Sequence, residues 1–280
     1  MSTVILFYKF IRINSPKSLR DEQRLLCERL HLRGRILIAE EGINATLEGE
    51  REQIEEYQRE LAKDSRFADV VFKSSESDGH AFAKLIVRVR PEIVTLGTGA
   101  LDQTKTAKVI SADELQSMYE QDEDFVVLDL RNNYEIAAGA FDKTVQPDID
   151  VFRDLPKKLK LLEEYKGKKI VTVCTGGIRC EKATCLMQDE GFDNLYQLKD
   201  GIHAYMQKYP NEYFKGTLFV FDNRMTTPVV DTTDRTVVGR CAYCDRASET
   251  FYNDDSERPS KKILCCDTCI ADRSYLRSVV

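Results

Sequence analysis

The first hundred residues alternate between extended apolar runs and segments in which apolar side chains recur at helical spacing. Strands are predicted at residues 4–10, 35–39, 43–47, 70–73 and 83–89. Helices are predicted from Pro16 onwards and over residues 50–62, where Ile54, Tyr57 and Leu61 share one face. The order βαββαβ is that of a ferredoxin-like (acylphosphatase-like) fold, so we expect an α+β domain over residues 1–98.

The periodic pattern breaks off at residues 99–110, which we interpret as a linker. Beyond it, strand-like runs alternate with helical segments. Strands are predicted at residues 125–130, 170–173 and 195–198, and helices at 155–165, 179–189 and 202–209. This alternation predicts a parallel α/β sheet covered on both faces, in a domain over residues 111–215. Residues 216–280 form a C-terminal extension with a different pattern.

Composition and charge narrow the class of protein. A net charge of −6 over 280 residues argues against a generally basic nucleic-acid-binding coat, although a local basic face remains compatible with it. The longest apolar run is shorter than the roughly 20 residues of a membrane helix, and the N-terminus lacks the pattern of a secretory leader. The nine cysteines are an odd number in clusters, which favours a reducing cytoplasm over a disulfide framework. We find no nucleotide-cofactor fingerprint.

The most reactive candidate is the loop 174–179, Cys-Thr-Gly-Gly-Ile-Arg, between a predicted strand and a predicted helix. Free N–H groups and the positive dipole end of a helix stabilise a thiolate and lower the pKa of a cysteine there. Paired glycines let successive N–H groups converge on one anion, and Arg179 adds a permanent positive charge. We expect the backbone N–H groups of Thr175, Gly176, Gly177, Ile178 and Arg179 to hold the charge of the Cys174 sulfur.

This pattern predicts that Cys174 is a nucleophile, assisted by Arg179. Only four residues separate the two, so the loop suits one bulky anionic atom, such as the outer sulfur of a persulfide. The alternative interpretation is a small buried hydrophobe at a strand end. The reactive interpretation expects a sulfur that is open to solvent. Cys180 either resolves a disulfide with Cys174 or packs in the core.

Asp129 and Arg131 lie at the end of the strand predicted over residues 125–130. We expect this strand to lie beside the one that leads into the Cys174 loop. Carboxyl ends of neighbouring parallel strands meet at one edge, where ligands bind. The pair therefore either supports the active loop and the approach of a substrate, or forms a structural salt bridge.

Two Cys-x-x-Cys pairs in the C-terminal extension predict a metal centre. Such turns direct two sulfurs at one point, and two turns supply the tetrahedral sulfur set that zinc prefers. The expected ligands are Cys241, Cys244, Cys266 and Cys269, with 21 residues between the pairs. Cys265 could replace its neighbour Cys266. A redox pair and loosely ordered thiols are the alternatives to zinc.

Several of these motifs also carry a family resemblance. The string CTGGIRCEKA at 174–183 resembles the active-site loop of rhodanese-type sulfurtransferases, and within them the oxygen-dependent tRNA uridine hydroxylases. Asp129-Leu130-Arg131 with Glu135 resembles the first rhodanese signature. Residues 197–202 resemble the closing signature, except that Asp200 replaces the usual glycine, and a left-handed turn tolerates aspartate. Residues 219–224 resemble the short motif that follows the rhodanese domain in this group.

The resemblance implies an acylphosphatase-like N-terminal domain and a rhodanese domain. It also implies an enzyme that uses molecular oxygen to hydroxylate carbon 5 of the wobble uridine of certain tRNAs. Two other functions remain open from the residues alone. One is a plain sulfurtransferase that moves sulfur from thiosulfate or a persulfide to a thiol. The other is a non-enzymatic module that binds RNA or protein. The sequence identifies neither an electron donor nor a sulfur donor.

Overall fold

The computed structural model describes residues 2–99, 101–230, 235–256, 258–271 and 273–278. The chain divides into two compact units, residues 1–95 and 96–280. Among the described residues, every helix falls short of the length and apolar character that crossing a bilayer demands.

The N-terminal unit is one twisted sheet with two helices. Its elements are β1 (Ser2–Phe10), α1 (Pro16–Arg29), β2 (Arg33–Ala39), β3 (Gly42–Glu50), α2 (Arg51–Ala62), β4 (Lys73–Ser77) and β5 (Leu85–Val89). The strand order is β4-β1-β3-β2-β5, and β5 lies parallel to β2. This arrangement confirms the predicted α+β fold. The buried face of α2 consists of Ile54, Tyr57 and Leu61, as the helical spacing predicts.

One predicted strand of this unit is displaced. The sequence places it at residues 70–73, whereas β4 runs from Lys73 to Ser77 and pairs with the edge strand β1. Four of its five residues are serines or glutamate, so it lacks the apolar alternation that marks a strand in sequence. Backbone pairing with β1, and not side-chain pattern, defines this element.

The second unit contains the remaining elements. The first half comprises a 3₁₀ turn (Gln103–Lys105), β6 (Lys108–Ile110), α3 (Ala112–Glu120), β7 (Phe125–Asp129), α4 (Asn133–Ile136), β8 (Gly139–Phe141), β9 (Thr144–Val145), a 3₁₀ turn (Phe152–Asp154), α5 (Leu155–Lys158) and a 3₁₀ helix (Leu159–Tyr165). Next come β10 (Lys169–Val173), α6 (Ile178–Asp189), β11 (Leu195–Leu198), α7 (Gly201–Lys208), β12 (Phe214–Gly216), β13 (Leu218–Phe219), β14 (Thr226–Thr227), β15 (Phe251–Asp254), β16 (Lys261–Leu264), α8 (Asp267–Ile270) and β17 (Leu276–Ser278).

The main sheet of this unit is parallel throughout, in the order β6-β11-β10-β7-β9. The predicted parallel α/β sheet is therefore confirmed. The central strand β10 is buried from Ile170 to Val173, because a parallel sheet is covered on both faces. It ends at Val173, so Cys174 follows directly at the carboxyl edge, where ligands bind in such sheets.

Two segments of this unit differ from the sequence interpretation. Residues 108–110, which we assigned to the linker, form the edge strand β6 beside β11. Only Ile110 of the three is buried, so the apolar pattern was too weak to predict a strand. The predicted helix over residues 155–165 is a single α-helical turn followed by a 3₁₀ helix. Both helix types place residues three apart on one face, so spacing does not distinguish them.

Candidate active site and candidate metal centre

The loop at residues 174–179 forms a tight turn from β10 into α6. Gly177 precedes the helix with a φ of 98°, a left-handed conformation that glycine adopts without a steric penalty. The Gly177 N–H donates a hydrogen bond to the Cys174 sulfur at 3.2 Å. This hydrogen bond brings one of the five expected N–H groups, that of Gly177, to the sulfur.

The start of α7 holds this loop from the other side. The N–H of Ile202 donates to the Cys174 carbonyl at 3.0 Å, and the N–H of His203 donates to the Thr175 carbonyl at 3.1 Å. A Cβ atom on Gly201 would lie 2.6 Å from the Cys174 carbonyl oxygen, so only glycine fits there. Asp200 adopts a left-handed φ of 59°, in agreement with the expectation that aspartate is tolerated at this turn.

The surroundings of Cys174 favour its thiolate. Burial raises the pKa of this thiol, but the Cys180 thiol, the Arg179 charge and the backbone N–H groups of Arg179 and Cys180 outweigh it and lower the pKa from 9.0 to about 6. Burial and the adjacent Cys174 raise the pKa of Cys180. The two shifts in pKa therefore favour a thiolate at Cys174 and a protonated thiol at Cys180.

Cys174 is only 1% exposed, so the expectation of a sulfur open to solvent is wrong for this conformation. Burial alone would favour the interpretation of Cys174 as a small buried hydrophobe. Cys27 in the N-terminal unit provides the comparison. Cys27 is equally buried, and burial raises its pKa to about 12. The two residues differ in hydrogen bonding and charge, and not in exposure. Cys174 therefore offers almost no surface to a substrate in this conformation.

Arg179 is held by a buried ion pair that sequence reasoning did not predict. Its two guanidinium Nη atoms donate to the two carboxylate oxygens of Glu135 in α4, each at 2.7 Å. Nη2 also lies 3.5 Å from the Thr175 hydroxyl, which joins the arginine to the loop. Burial lowers the pKa of Arg179, but the Glu135 carboxylate more than compensates and raises it. The rhodanese signature includes Glu135, although the spacing of the motif does not indicate its partner.

Asp129, at the end of β7, forms a buried salt bridge with Arg131. Both side chains are fully buried, and the Arg131 Nη2 donates to Asp129 at 2.6 Å and to the Gly139 carbonyl at 2.7 Å. The pair links the end of β7 to β8. Their role in supporting the active loop stays a prediction.

Cys180→Ala is expected to raise the pKa of Cys174 above about 6, because it removes the thiol that donates to the sulfur. The rate of iodoacetamide labelling of Cys174, followed by peptide mass spectrometry across pH, measures this. Cys185→Ala is the control, since the Cys185 thiol donates instead to the Glu181 carbonyl. An unchanged Cys174 profile in Cys180→Ala would show that this hydrogen bond does not stabilise the thiolate.

The four cysteines predicted as metal ligands do converge. The sulfurs of Cys241, Cys244, Cys266 and Cys269 all lie within 4.8 Å of one another. A tetrahedral zinc site with Zn–S bonds near 2.3 Å has sulfurs about 3.8 Å apart, so this cluster fits a metal ion. Cys265 is fully buried beside the cluster and is not part of it, which favours Cys266 as the ligand from this adjacent pair.

Family models match three successive parts of the chain. Residues 2–93 match the UPF0176 acylphosphatase-like domain, residues 111–208 match the rhodanese-like domain, and residues 215–277 match the rhodanese C-terminal family. These matches agree with the folds of the two units.

Curated relatives match nearly the whole chain. A tRNA uridine(34) hydroxylase of Cytophaga hutchinsonii is 39% identical over 95% of this chain and 85% of its own length. Proteins of the same name from Bacillus licheniformis and Staphylococcus haemolyticus are 39% and 40% identical over 98% and 93% of this chain, and over 85% and 82% of their own lengths. Together with the rhodanese loop and the acylphosphatase-like unit, this similarity shows that the chain belongs to the tRNA uridine(34) hydroxylase family.

Proposed function

We propose that this chain hydroxylates carbon 5 of the uridine at position 34 of tRNA, with Cys174 as the nucleophile. The observation that carries the proposal is the Cys174 sulfur, held as a thiolate by the Gly177 N–H, the Cys180 thiol and the Arg179 charge. The name of the relatives supplies the substrate class. We propose a cytoplasmic location as well, because tRNA is the proposed substrate.

The thiolate suits the chemistry of a uracil ring. Carbon 6 is electrophilic because its double bond is conjugated with the carbonyl at carbon 4, and a thiolate is a strong nucleophile. Addition of the Cys174 sulfur to carbon 6 moves an electron pair toward carbon 5, the carbon to be oxidised. Later expulsion of the sulfur, with loss of the proton at carbon 5, restores the double bond and frees the enzyme.

We propose dioxygen as the oxidant, by resemblance to the family. One oxygen atom then enters the uridine and the other leaves as water, which requires two further electrons and two protons. We assign these to a thiol reductant, with two thiols oxidised to one disulfide. The net reaction consumes uridine, dioxygen and two thiols, and gives 5-hydroxyuridine, water and a disulfide.

Nucleoside mass spectrometry tests this function. Purified protein is incubated with unmodified tRNA, a thiol reductant and isotopically heavy dioxygen, and the tRNA is digested. We expect 5-hydroxyuridine that carries one heavy oxygen atom. Unmodified tRNA together with efficient sulfur transfer from thiosulfate to cyanide would contradict the proposal and favour a sulfurtransferase. Unmodified tRNA without sulfur transfer would favour a binding module.

We further propose that the C-terminal cysteine cluster binds one zinc ion. Four thiolates at these separations match the preference of zinc for tetrahedral sulfur coordination, and the hairpin β15–β16 lies in the chain between the two pairs. Such a site would hold the last part of the chain together, because metal binding and folding are coupled.

Cys266→Ser is expected to lower zinc content from about one ion per chain to under about 0.2, since three sulfurs bind far more weakly than four. Elemental analysis of protein purified without chelator measures this. Cys265→Ser is the matched control and is expected to retain zinc, because Cys265 lies outside the cluster. Equal zinc loss in both variants would contradict the ligand assignment, and wild-type protein without zinc would remove the metal site.

A further inference from the structure

Phe221 lies in the turn between β13 and β14 and leaves 46% of its surface exposed. Its ring lies over the guanidinium group of Arg179, with the carbon of that group 5.7 Å from the ring centroid. Because Arg179 belongs to the Cys174 loop, the turn brings a large exposed aromatic ring to the candidate active site.

The turn that carries Phe221 is fixed by hydrogen bonds. The N–H of Val220 donates to the Met225 carbonyl at 2.8 Å, and the N–H of Met225 donates to the Asp222 carbonyl at 3.0 Å. The Asp222 carboxylate accepts from the Arg224 N–H, Nε and Nη2 at 3.0, 2.9 and 2.7 Å. The segment is thus a preorganised turn.

Aromatic packing fixes the ring from behind. Phe219 meets Phe221 edge-on, with ring centroids 5.2 Å apart. Phe219 also packs edge-on against Tyr134 and Phe251, each at 5.1 Å. Phe221 is therefore the exposed end of an aromatic cluster in which Phe219 and Phe251 are buried and Tyr134 is partly buried. A rigid ring that is anchored on one side and exposed on the other can stack a planar ligand at little entropic cost.

We propose that Phe221 is the platform on which the uracil base of the substrate uridine stacks. The inference rests on the proposed function, which requires a base to leave its neighbours in the RNA and approach the Cys174 loop. Unstacked bases in RNA loops are held by aromatic side chains, and Phe221 is an exposed aromatic ring beside the Cys174 loop. Stacking there replaces the contacts that the base loses and sets its plane relative to the Cys174 sulfur.

Fluorescence tests the stacking directly. The chain contains no tryptophan, so Phe221→Trp introduces a single reporter at the platform. An anticodon stem-loop RNA with uridine at position 34 is expected to quench this tryptophan, and the same RNA with an abasic site at position 34 is expected to quench it far less. Equal quenching by both RNAs, or binding without quenching, would overturn the proposal. Failure of every variant to bind the RNA would instead count against the proposed function itself.

Kinetics separate stacking from simple covering of the site. Phe221→Ala and Phe221→Leu are both expected to lower kcat/KM for tRNA by between about 5-fold and about 150-fold, the range found when a stacked aromatic residue is removed. Phe221→Tyr keeps a planar ring and is expected to retain activity within about 3-fold. If leucine preserved activity as well as tyrosine, the ring would serve only as apolar cover and the stacking proposal would be wrong.

Two controls complete the experiment. Leu161→Ala removes a different exposed apolar side chain of the same unit and is expected to leave the kinetics unchanged, and in the Phe221→Trp protein it is expected to leave the quenching unchanged. The pH profile of Cys174 labelling reports whether the loop is intact in each Phe221 variant. A Phe221→Ala enzyme with a wild-type labelling profile and reduced kcat/KM supports a substrate contact. Wild-type kcat/KM in Phe221→Ala would contradict it.

Discussion

Cys174→Ser is expected to abolish uridine hydroxylation while the protein remains folded, and this is the largest effect that we expect. Serine keeps the size of the side chain but is not ionised at neutral pH, so the nucleophile is lost. Removing a nucleophile of this kind reduces turnover on the order of 10³-fold or more. Nucleoside mass spectrometry after a single incubation with tRNA measures the loss, and circular dichroism checks the fold.

Cys185→Ser is the matched control for this substitution. Cys185 lies in α6, two turns after the loop, and burial raises its pKa to about 11. Its replacement is expected to leave hydroxylation close to wild type. If Cys174→Ser retained more than a tenth of the activity, Cys174 would not be the nucleophile, and the chemistry would have to start from another group.

Glu135→Gln is expected to destabilise the protein by about 3–5 kcal/mol, the cost of leaving one member of a buried ion pair without its counter-charge. Glu135 is fully buried and accepts two hydrogen bonds from the Arg179 guanidinium. Glutamine keeps the shape of the side chain but removes the charge that compensates Arg179. Urea unfolding followed by circular dichroism gives the change in the free energy of unfolding.

Asp189→Asn provides the comparison for an exposed pair. Asp189 accepts from Lys105 at 2.8 Å, with both side chains about half exposed. Pairs of this kind contribute about 1 kcal/mol or less because water screens them. Equal destabilisation by the two substitutions would contradict the claim that the Glu135 carboxylate holds the Arg179 charge beside the Cys174 loop.

The sequence predicts the loop at residues 174–179 well because its information is local. A strand, two glycines and a helix start are neighbours in the chain, and their geometry follows from backbone conformation alone. The cysteine pairs are predictable for the same reason, since each Cys-x-x-Cys turn already directs two sulfurs to one point. The choice between Cys265 and Cys266 required the structure, because adjacent residues have the same spacing to every other ligand.

The contacts that complete the site join distant parts of the chain. Glu135 meets Arg179 across 44 residues, and Gly201 packs against the Cys174 carbonyl from the start of α7. Phe221 reaches Arg179 from the turn after the rhodanese-like region. Motif resemblance marks these positions, but residue type and spacing do not say which side chains meet. The burial of Cys174 was mispredicted for the same reason, because it depends on several separate elements.

The pKa of Cys174 is the most direct test of the account. The difference in ultraviolet thiolate absorbance between wild-type protein and Cys174→Ser, followed as a function of pH, reports ionisation of this sulfur without requiring a reagent to reach it. A midpoint near pH 6 is the predicted result, because the Gly177 N–H, the Cys180 thiol and the Arg179 charge favour the thiolate. A midpoint at or above 9.0, the ordinary value of a cysteine thiol, would contradict the account.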